Sequence, residues 1–155
     1  MVAKLQHLYH DIAVQLTGSQ DLPPIAVRQG LKQGCPASPL LFSLLFDRVA
    51  AYVQAAVGAL PTAAGNFYTF HTLQLLLLLF ADDVALLARS EAGLGRLYRA
   101  FKGFCSQNHL TISSAKTKAM VQMPGPPPAT ITLDGDTYEV LPTFTYLGVT
   151  VTPTG

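Results

Sequence analysis

The spacing of apolar residues changes along the chain and predicts a mixture of helices and strands. Apolar residues recur every three or four positions from residue 38 to about residue 57, and again over 90–108, which is typical of amphipathic helices. Ser38-Pro39 predicts the start of the first helix, with Ser38 as the capping residue, and Ser90 caps the second. Helical spacing also predicts a helix over residues 2–10.

Short apolar runs bounded by turn residues predict strands. These runs are residues 12–16, 25–28, 110–112, 119–122, 131–133, 137–140 and 144–151. The first two runs form a plausible hairpin. Asp134-Gly135 stands between two others and is a strong short-range hairpin signal. Residues 58–72 predict a connector, residues 113–118 a polar turn, and the proline-rich residues 124–128 a linker.

The stretch from Leu75 to Ala88 places two adjacent aspartates, Asp82 and Asp83, between apolar runs, with no cation within five residues. Two such carboxylates repel each other and are costly to bury without a partner. A hairpin turn that binds a divalent cation such as Mg²⁺ satisfies both requirements. A solvated turn without metal is the simpler alternative. One long helix from Leu73 to Phe104 would leave both carboxylates in mid-span without a partner.

Composition restricts the function only weakly. The 155 residues suffice for one domain with a core; half are apolar and 12% are charged, which suggests burial against segments outside this sequence. The net charge of +1 does not by itself predict a nucleic-acid binder. The apolar run before Asp82 is too short to span a membrane, and the N-terminus lacks a secretory signal. Cys35 and Cys105 fit neither a disulfide framework nor a metal site, which favours an intracellular protein.

Two further patterns leave a structural and a functional interpretation open. Residues 29–39 contain two glycines and two prolines and predict a shaped loop. This loop either caps a core helix or presents the backbone N–H groups of Gly34 and the helix start to an anionic phosphate. On the second helix, Arg96, Arg99 and Lys102 lie on the polar face, where a solvated basic surface is the expected explanation.

Four blocks, in this order, resemble reverse transcriptases of non-LTR retrotransposons. The block from Gly30 to Phe42 is similar to the Gln-Gly-Cys-Pro-Leu-Ser-Pro block of that family, and Phe80-Ala81-Asp82-Asp83 resembles its Phe/Tyr-Ala-Asp-Asp block. The stretch from Leu110 to Lys118 resembles its Leu-x-Ile-Asn-x-x-Lys-Thr block, and Phe144 to Gly148 its Phe-x-Tyr-Leu-Gly block. The shared order makes the match specific, and the first two blocks are the most diagnostic.

The resemblance implies an α+β fold: a polymerase palm fragment whose antiparallel sheet carries the Asp-Asp hairpin, packed on helices. Residues 1–123 would be partial fingers and palm, and residues 124–155 a linker and an end-of-palm hairpin. The implied activity is that of a nucleotidyltransferase, which adds deoxynucleotides to a primer 3′ end by two-metal phosphoryl transfer with Mg²⁺. The implied partners are an RNA template, a DNA primer, deoxynucleoside triphosphates and the rest of a parent polyprotein, with no membrane; an active element would work in the nucleus.

The resemblance also assigns the site residues. Asp82 and Asp83 would be the catalytic, metal-binding carboxylates. The other assigned residues are Gln33, Gly34 and Lys116 against nucleotide and template, and Tyr146, Leu147 and Gly148 in the primer grip. Without the resemblance, the lysine is explained equally well as a solvated turn residue, and the tyrosine as a strand residue in the core.

The sequence departs from the family pattern in two respects. The first catalytic aspartate of the family lies well upstream of the Gln-Gly-Cys-Pro block; Asp11 is too close to that block and Asp47 follows it, so we expect an incomplete metal site and no polymerisation by this chain alone. Ser113 replaces an asparagine and Ala37 a leucine, which suggests a drifting copy. Two alternatives are a group II intron maturase-like reverse transcriptase and a non-enzymatic remnant that at most binds nucleic acid.

Overall fold

The computed structural model describes residues 13–14, 23–26, 30–32, 34–58, 68–70, 73–123 and 125–152. The helix predicted over residues 2–10 lies outside these ranges. The elements in chain order are β1 (Ala13–Val14), β2 (Ile25–Ala26), α1 (Ser38–Gly58), β3 (Tyr68–Phe70), β4 (Leu73–Leu75), β5 (Leu77–Phe80), β6 (Asp83–Leu86), α2 (Glu91–Gln107), β7 (Thr130–Leu133), β8 (Asp136–Glu139), β9 (Phe144–Tyr146) and β10 (Val149–Val151).

Within the described residues, each strand pairs antiparallel with its neighbour in sequence, which gives five two-stranded ribbons beside two helices. This combination is α+β, as expected from the sequence. The chain divides into two compact units, residues 1–47 and 48–155, with the boundary inside α1. The second unit contains β3 to β10 and α2, and therefore also both aspartates of the acidic stretch.

Helix α1 follows the predicted range but starts differently. Ser38 is already the first helical residue, its hydroxyl donates to the carbonyl of Lys32 at 2.7 Å, and the backbone N–H of Leu41 bonds the carbonyl of Ala37 at 3.0 Å. The prediction that Ser38 precedes and caps the helix is therefore wrong. The hydroxyl instead forms a hydrogen bond across the loop, to a carbonyl six residues earlier in the chain.

In the described part of the chain, α1 is one helix that is long and apolar enough to cross a membrane by length and composition alone. The same composition is typical of a core helix, and Val49, Val53 and Val57 are buried four residues apart. Asp47 and Arg48 lie near its middle, where a membrane would impose roughly 2.5–3.5 kcal/mol for each charge. The valines form one buried stripe of the helix, while Leu40 and Leu44 are more than half exposed.

Helix α2 confirms the prediction over 90–108. The side chain of Ser90 accepts a hydrogen bond from the N–H of Gly93 at 3.1 Å. At the other end, His109 has a φ of +57°, and the N–H of Leu110 bonds the carbonyl of Cys105 at 2.8 Å. This is the Schellman arrangement, which normally places glycine at the left-handed position. The buried face consists of Gly93, Leu97, Tyr98, Phe104 and Cys105.

Three strand predictions are wrong. Residues 110–112 form no strand because the N–H of Leu110 closes the end of α2. Residues 119–122 contribute only an isolated parallel bridge between Ala119 and Val140. Residues 144–151 are two strands, because Leu147 and Gly148 both have positive φ, +50° and +81°, and turn the chain. The predicted connector over 58–72 likewise contains β3, which pairs with β4.

The hairpin predicted around Asp134-Gly135 is confirmed as β7 and β8. Asp134 and Gly135 have φ values of +49° and +87°, the pattern of a type I′ turn. One face of this hairpin packs on α2: Tyr98, Leu133 and Tyr138 form a buried cluster. Leu86, Leu94, Ile112 and Ile131 pack against it. This cluster therefore joins the end of β6, α2, the segment after α2, and the β7–β8 hairpin.

Candidate active site

The two adjacent aspartates lie at the end of the β5–β6 hairpin. Phe80 pairs with Asp83 and Leu77 with Leu86, so that Ala81 and Asp82 form a two-residue turn. The backbone N–H of Leu87 continues the ladder by bonding the carbonyl of Leu76 at 2.8 Å. The long helix from Leu73 to Phe104 that the leucine run allowed does not form.

The β5–β6 hairpin packs against the rest of the protein through one of its faces. Leu79 and Val84 face each other and are half-buried, and Leu86 packs on the buried cluster around Tyr98. On the opposite face Phe80 is 59% exposed. The base of the hairpin is therefore anchored in the core, while the turn projects away from it.

Both carboxylates of the turn are exposed. None of the ion pairs among the described residues involves Asp82 or Asp83, and the same residues contain no cluster of three or more potential metal ligands. The structure thus avoids the cost of burial by leaving the turn in solvent. The donor set of two adjacent carboxylates still fits Mg²⁺, which usually keeps several waters and takes one or two protein carboxylates together with substrate phosphates.

The backbone of this turn is unusual at Ala81, whose φ is +49°. A positive φ at the first turn position is typical of a type II′ turn, where glycine is the ordinary residue. For a residue with a Cβ atom, the left-handed region costs roughly 1–2 kcal/mol. Strain of this kind persists where surrounding structure enforces it and concentrates at functional sites. Here it lies directly beside the two carboxylates.

Of the two residues assigned to the loop before α1, Gln33 lies outside the described residues. Gly34 is exposed with a φ of +80°. The N–H of Cys35 bonds the carbonyl of Lys32 at 3.2 Å, across Gly34, and the N–H of Ser38 bonds the carbonyl of Cys35 at 3.0 Å. The described part of the loop therefore contains two consecutive tight turns, with Gly34 on the surface.

Lys116 lies in a tight turn after α2. The carbonyl of Ser113 accepts hydrogen bonds from the N–H of Lys116 at 3.1 Å and from the N–H of Thr117 at 2.9 Å. The hydroxyl of Thr117 donates to the same carbonyl at 2.8 Å. The Lys116 side chain is exposed, so the turn holds its backbone while the ammonium group can reach a ligand.

The residues assigned to the primer grip form the turn between β9 and β10. Tyr146 pairs with Val149, and Leu147 and Gly148 are the two turn residues. Their positive φ values give the type I′ pattern, although leucine is an uncommon residue at the first position. Leu147 is 50% exposed. An apolar side chain is thus held outward at the end of a ribbon.

The sequence-based interpretation missed one polar cluster, which joins α2 to the β7–β8 turn. Arg99 Nε lies 2.9 Å from Asp134 Oδ1, and Lys102 Nζ lies 2.7 Å from Asp136 Oδ2. The hydroxyl of Tyr98 donates to the same Asp136 oxygen at 2.5 Å. Arg99 is exposed, as a solvated basic face requires, but it also pairs with Asp134, and Lys102 is held against Asp136, contacts that the expectation did not include. The available signal was an Asp-Gly-Asp turn of opposite charge, but nothing in the spacing joins it to the helix.

These contacts explain the altered acidities of the cluster. The hydrogen bonds from Lys102 and Tyr98 hold the pKa of Asp136 below its usual value. The hydrogen bond to Asp136 raises the pKa of Lys102. Burial, followed by the hydrogen bond to Asp136, raises the pKa of the Tyr98 hydroxyl. Burial alone raises the pKa of the Cys105 thiol. The cluster therefore stays ionised as a pair at neutral pH, while Tyr98 stays protonated and donates.

Comparison with known proteins agrees with the four motif blocks. The sequence model of the family described as reverse transcriptase (RNA-dependent DNA polymerase) matches residues 3–151. The chain belongs to this family. It is 28% identical, over 165 aligned positions, to the retrovirus-related Pol polyprotein from type-2 retrotransposable element R2DM of Drosophila melanogaster. That match covers 97% of the chain and 14% of the relative, so the chain spans about one seventh of its length. This relative supports the non-LTR retrotransposon type. Among solved structures, none matches the chain.

Proposed function

We propose that this chain is a palm segment of an RNA-directed DNA polymerase, which in a longer protein adds deoxynucleotides to a primer 3′ end on an RNA template. One observation carries the proposal: the β5–β6 hairpin presents two adjacent, exposed carboxylates at a two-residue turn. This hairpin lies within the stretch that matches the reverse transcriptase family. An acidic turn on anchored strands holds charge at a fixed place, which metal-assisted chemistry requires.

Asp82 and Asp83 are the residues that would hold Mg²⁺. When bound, the metal supplies electrostatic stabilisation of the attacking and leaving oxygens in phosphoryl transfer. The protein contributes two oxygen donors, of the type Mg²⁺ prefers. Exposure of both side chains leaves room for water and for triphosphate oxygens as the remaining ligands.

The other assigned residues would surround the reacting groups. Lys116 is an exposed ammonium on a braced turn, suited to offset charge on the triphosphate. Gln33 and Gly34 would lie against nucleotide and template. Tyr146, Leu147 and Gly148 would hold the primer end through the β9–β10 turn. In this proposal Asp82 and Asp83 are the catalytic residues, and the other six bind substrates.

We further propose that the metal site needs one more carboxylate. The family resemblance places that residue before the Gln-Gly-Cys-Pro block, and neither Asp11 nor Asp47 matches its position. Two carboxylates bind Mg²⁺ weakly without supporting the two-metal reaction. The 155-residue chain by itself should therefore bind divalent cations but extend no primer.

A manganese titration followed by electron paramagnetic resonance tests the metal assignment on the full chain. Replacing both carboxylates, with Asp82→Asn and Asp83→Asn together, is expected to weaken binding at least about tenfold, since each lost negative charge removes direct attraction. Asp134→Asn is the matched control, because it also removes a carboxylate from a hairpin turn. Equal affinity of the wild type and the double variant would contradict the assignment of the metal to this turn.

A primer-extension assay tests the incomplete site. The wild-type chain, supplied with an RNA template, a DNA primer, deoxynucleoside triphosphates and Mg²⁺, is expected to leave the primer unextended. Clear Mg²⁺-dependent extension that Asp83→Asn abolishes would show that the site is complete. That result would remove the need for a further carboxylate but would keep the polymerase assignment.

A further inference from the structure

The β7–β8 hairpin is fixed at both of its ends: its turn contacts α2, and its open end contacts the segment that follows Lys116. At the turn, Asp136 Oδ2 accepts from the hydroxyl of Tyr98 at 2.5 Å and from Lys102 Nζ at 2.7 Å. Arg99 adds a second contact to Asp134. Tyr98 and Lys102 lie one helical turn apart on α2, so the contact is made to a single face of that helix.

The donor and the acceptor of each hydrogen bond between the hydroxyls and the carboxylate of this cluster can be assigned. A carboxylate accepts only, so the Tyr98 proton goes to Asp136. The hydroxyls of Tyr98 and Tyr138 are also 2.5 Å apart, and Tyr138 must therefore donate to Tyr98. Both tyrosines are buried, at 4% and 3% exposure. The chain Tyr138 to Tyr98 to Asp136 is thus a directional connection that starts in the core and ends at the turn.

The open end of the hairpin is joined to the segment that follows Lys116. The N–H of Ala119 donates to the carbonyl of Glu139 at 2.9 Å, and the N–H of Leu141 donates to the carbonyl of Ala119 at 2.8 Å. Lys118 Nζ lies 2.8 Å from Glu139 Oε2. The Lys116 turn therefore ends where β8 ends, and β9 begins within a few residues of the same point.

Apolar packing alone does little to fix the orientation of the β7–β8 hairpin on α2. Its inward face is limited to Leu133, Tyr138 and the half-buried Ile131, while Thr132 and Thr137 face outward and are exposed. An isolated two-stranded ribbon is marginal in water, and hydrophobic contact is not directional. Charge-assisted hydrogen bonds are both stronger and more specific in geometry. The polar cluster is the contact that sets the angle of the hairpin on α2.

Helix α2 carries this constraint to the acidic turn. Only residues 87–90 separate β6 from α2, and Leu86 packs on the cluster that contains Tyr98. The frame therefore includes the base of the β5–β6 hairpin, α2 and the β7–β8 hairpin. The Asp82–Asp83 turn and the Lys116 turn are joined directly to this frame, and β9 follows β8 after residues 140–143.

We propose that Tyr98, Lys102 and Asp136 are positioning residues, which hold the β7–β8 hairpin on α2 and thereby set the place of the Lys116 turn and the Leu147-Gly148 turn relative to Asp82 and Asp83. The proposal rests on the proposed function for the roles of those turns. It does not depend on that function for the physical connection itself. The two parts are therefore tested separately.

Hydrogen–deuterium exchange on the full chain tests the connection. Tyr98→Phe keeps the buried ring and removes the hydroxyl, and Lys102→Met keeps the aliphatic stem and removes the charge. Each is expected to speed exchange at the amides of Ala119, Leu141 and β9–β10 about tenfold more than at the amides of α2. Lys102→Arg should restore protection. The control, Thr137→Ala, lies on the outward face of the same hairpin and should change none of these amides.

Three exchange results would contradict the connection. A uniform increase that includes α2 would mean that the cluster only contributes global stability. An unchanged pattern in Tyr98→Phe and Lys102→Met would mean that apolar packing alone positions the hairpin. Equal exchange in Lys102→Arg and Lys102→Met would likewise show that the charge at position 102 does not hold the hairpin.

Binding of a fluorescent DNA primer annealed to an RNA template tests the functional consequence. Tyr98→Phe removes no charge, so it is expected to weaken binding roughly two- to tenfold through misplacement of the turns, with the salt dependence unchanged. Wild-type affinity in Tyr98→Phe together with faster exchange would overturn the positioning role. If the wild-type chain binds no duplex, the primer-grip assignment fails, while the exchange experiment still decides the connection.

Discussion

Two hairpin turns of this protein each carry two aspartates, but the carboxylates of only one turn have partners among the described residues. In both, an apolar residue pairs with the aspartate that follows a two-residue turn: Phe80 with Asp83, and Leu133 with Asp136. The carboxylates of the β7–β8 turn bind Arg99, Lys102 and Tyr98. Those of the β5–β6 turn form no ion pair among the described residues. The same local pattern therefore produces a structural contact in one place and available ligands in the other.

The two turns also differ in the strain of their backbones. The β7–β8 turn has Asp134-Gly135, residues that adopt positive φ at little cost. The β5–β6 turn has Ala81 at a φ of +49°, which is costly for alanine. Local rules are satisfied where the turn has a structural role and broken where we propose a catalytic one. Backbone strain of this kind concentrates at functional sites.

The largest expected effect concerns the apolar residue before each turn. Leu133 is buried and Phe80 is 59% exposed, so truncation of Leu133 creates a cavity and truncation of Phe80 does not. Leu133→Ala should lower the free energy of unfolding by about 2–5 kcal/mol. Phe80→Ala should change it by less than about 0.5 kcal/mol. Urea denaturation measures both, and equal losses would show that the two hairpins are supported in the same way.

The next effect isolates the buried hydroxyl of the polar cluster. Tyr98→Phe leaves the ring in the core but removes the bonds to Asp136 and Tyr138, and should cost about 1–2 kcal/mol. Tyr146→Phe is the matched control, because the structure gives the Tyr146 hydroxyl no hydrogen bond to the described residues; it should cost less than about 0.5 kcal/mol. A negligible loss in Tyr98→Phe would contradict the importance of the cluster.

Exchanges between glycine and alanine at the two turns are expected to change the stability by smaller amounts and in opposite directions. A Cβ at Gly135 would meet no atom within 4 Å, so Gly135→Ala costs only the left-handed backbone penalty, about 1 kcal/mol. Ala81→Gly removes that penalty but adds freedom to the unfolded chain, for a net gain below about 1 kcal/mol. Thermal unfolding of both variants measures the difference. Destabilisation by Ala81→Gly would mean that the turn is not strained.

The smallest effect is the pH dependence of the contact to Asp136. Because the folded state lowers the pKa of this carboxyl, its contribution to stability is present above the ordinary aspartate pKa and is lost as the pH falls through the lowered value. The stability difference between the wild type and Asp136→Asn should therefore shrink toward zero in acid. Unfolding at neutral and acidic pH, with Thr137→Ala as control, measures it. A difference that grows in acid would contradict this sign.

The local elements were largely predictable from the sequence. Ser90 starts α2 as its sequence indicates, and Asp134-Gly135 turns the β7–β8 hairpin, because both signals act over a few residues. The prediction of a strand at residues 110–112 is wrong because the N–H of Leu110 belongs to the end of α2. The prediction of one strand over 144–151 is wrong because Leu147, a poor turn residue, precedes Gly148. In both cases the backbone conformation overrode the preference of the side chains for a strand.

The sequence by itself determined the family, through blocks whose residues lie close together in the chain, and it determined the acidic turn on its two apolar strands. Only the tertiary structure decided which aspartates acquire partners. Lys102 and Asp136 are 34 residues apart, and no periodic pattern relates positions at that distance. Packing of Tyr98 against Leu133 and Tyr138 brings them together. The same packing leaves Asp82 and Asp83 exposed outside the core, without an ion pair to any of the residues that the structure describes.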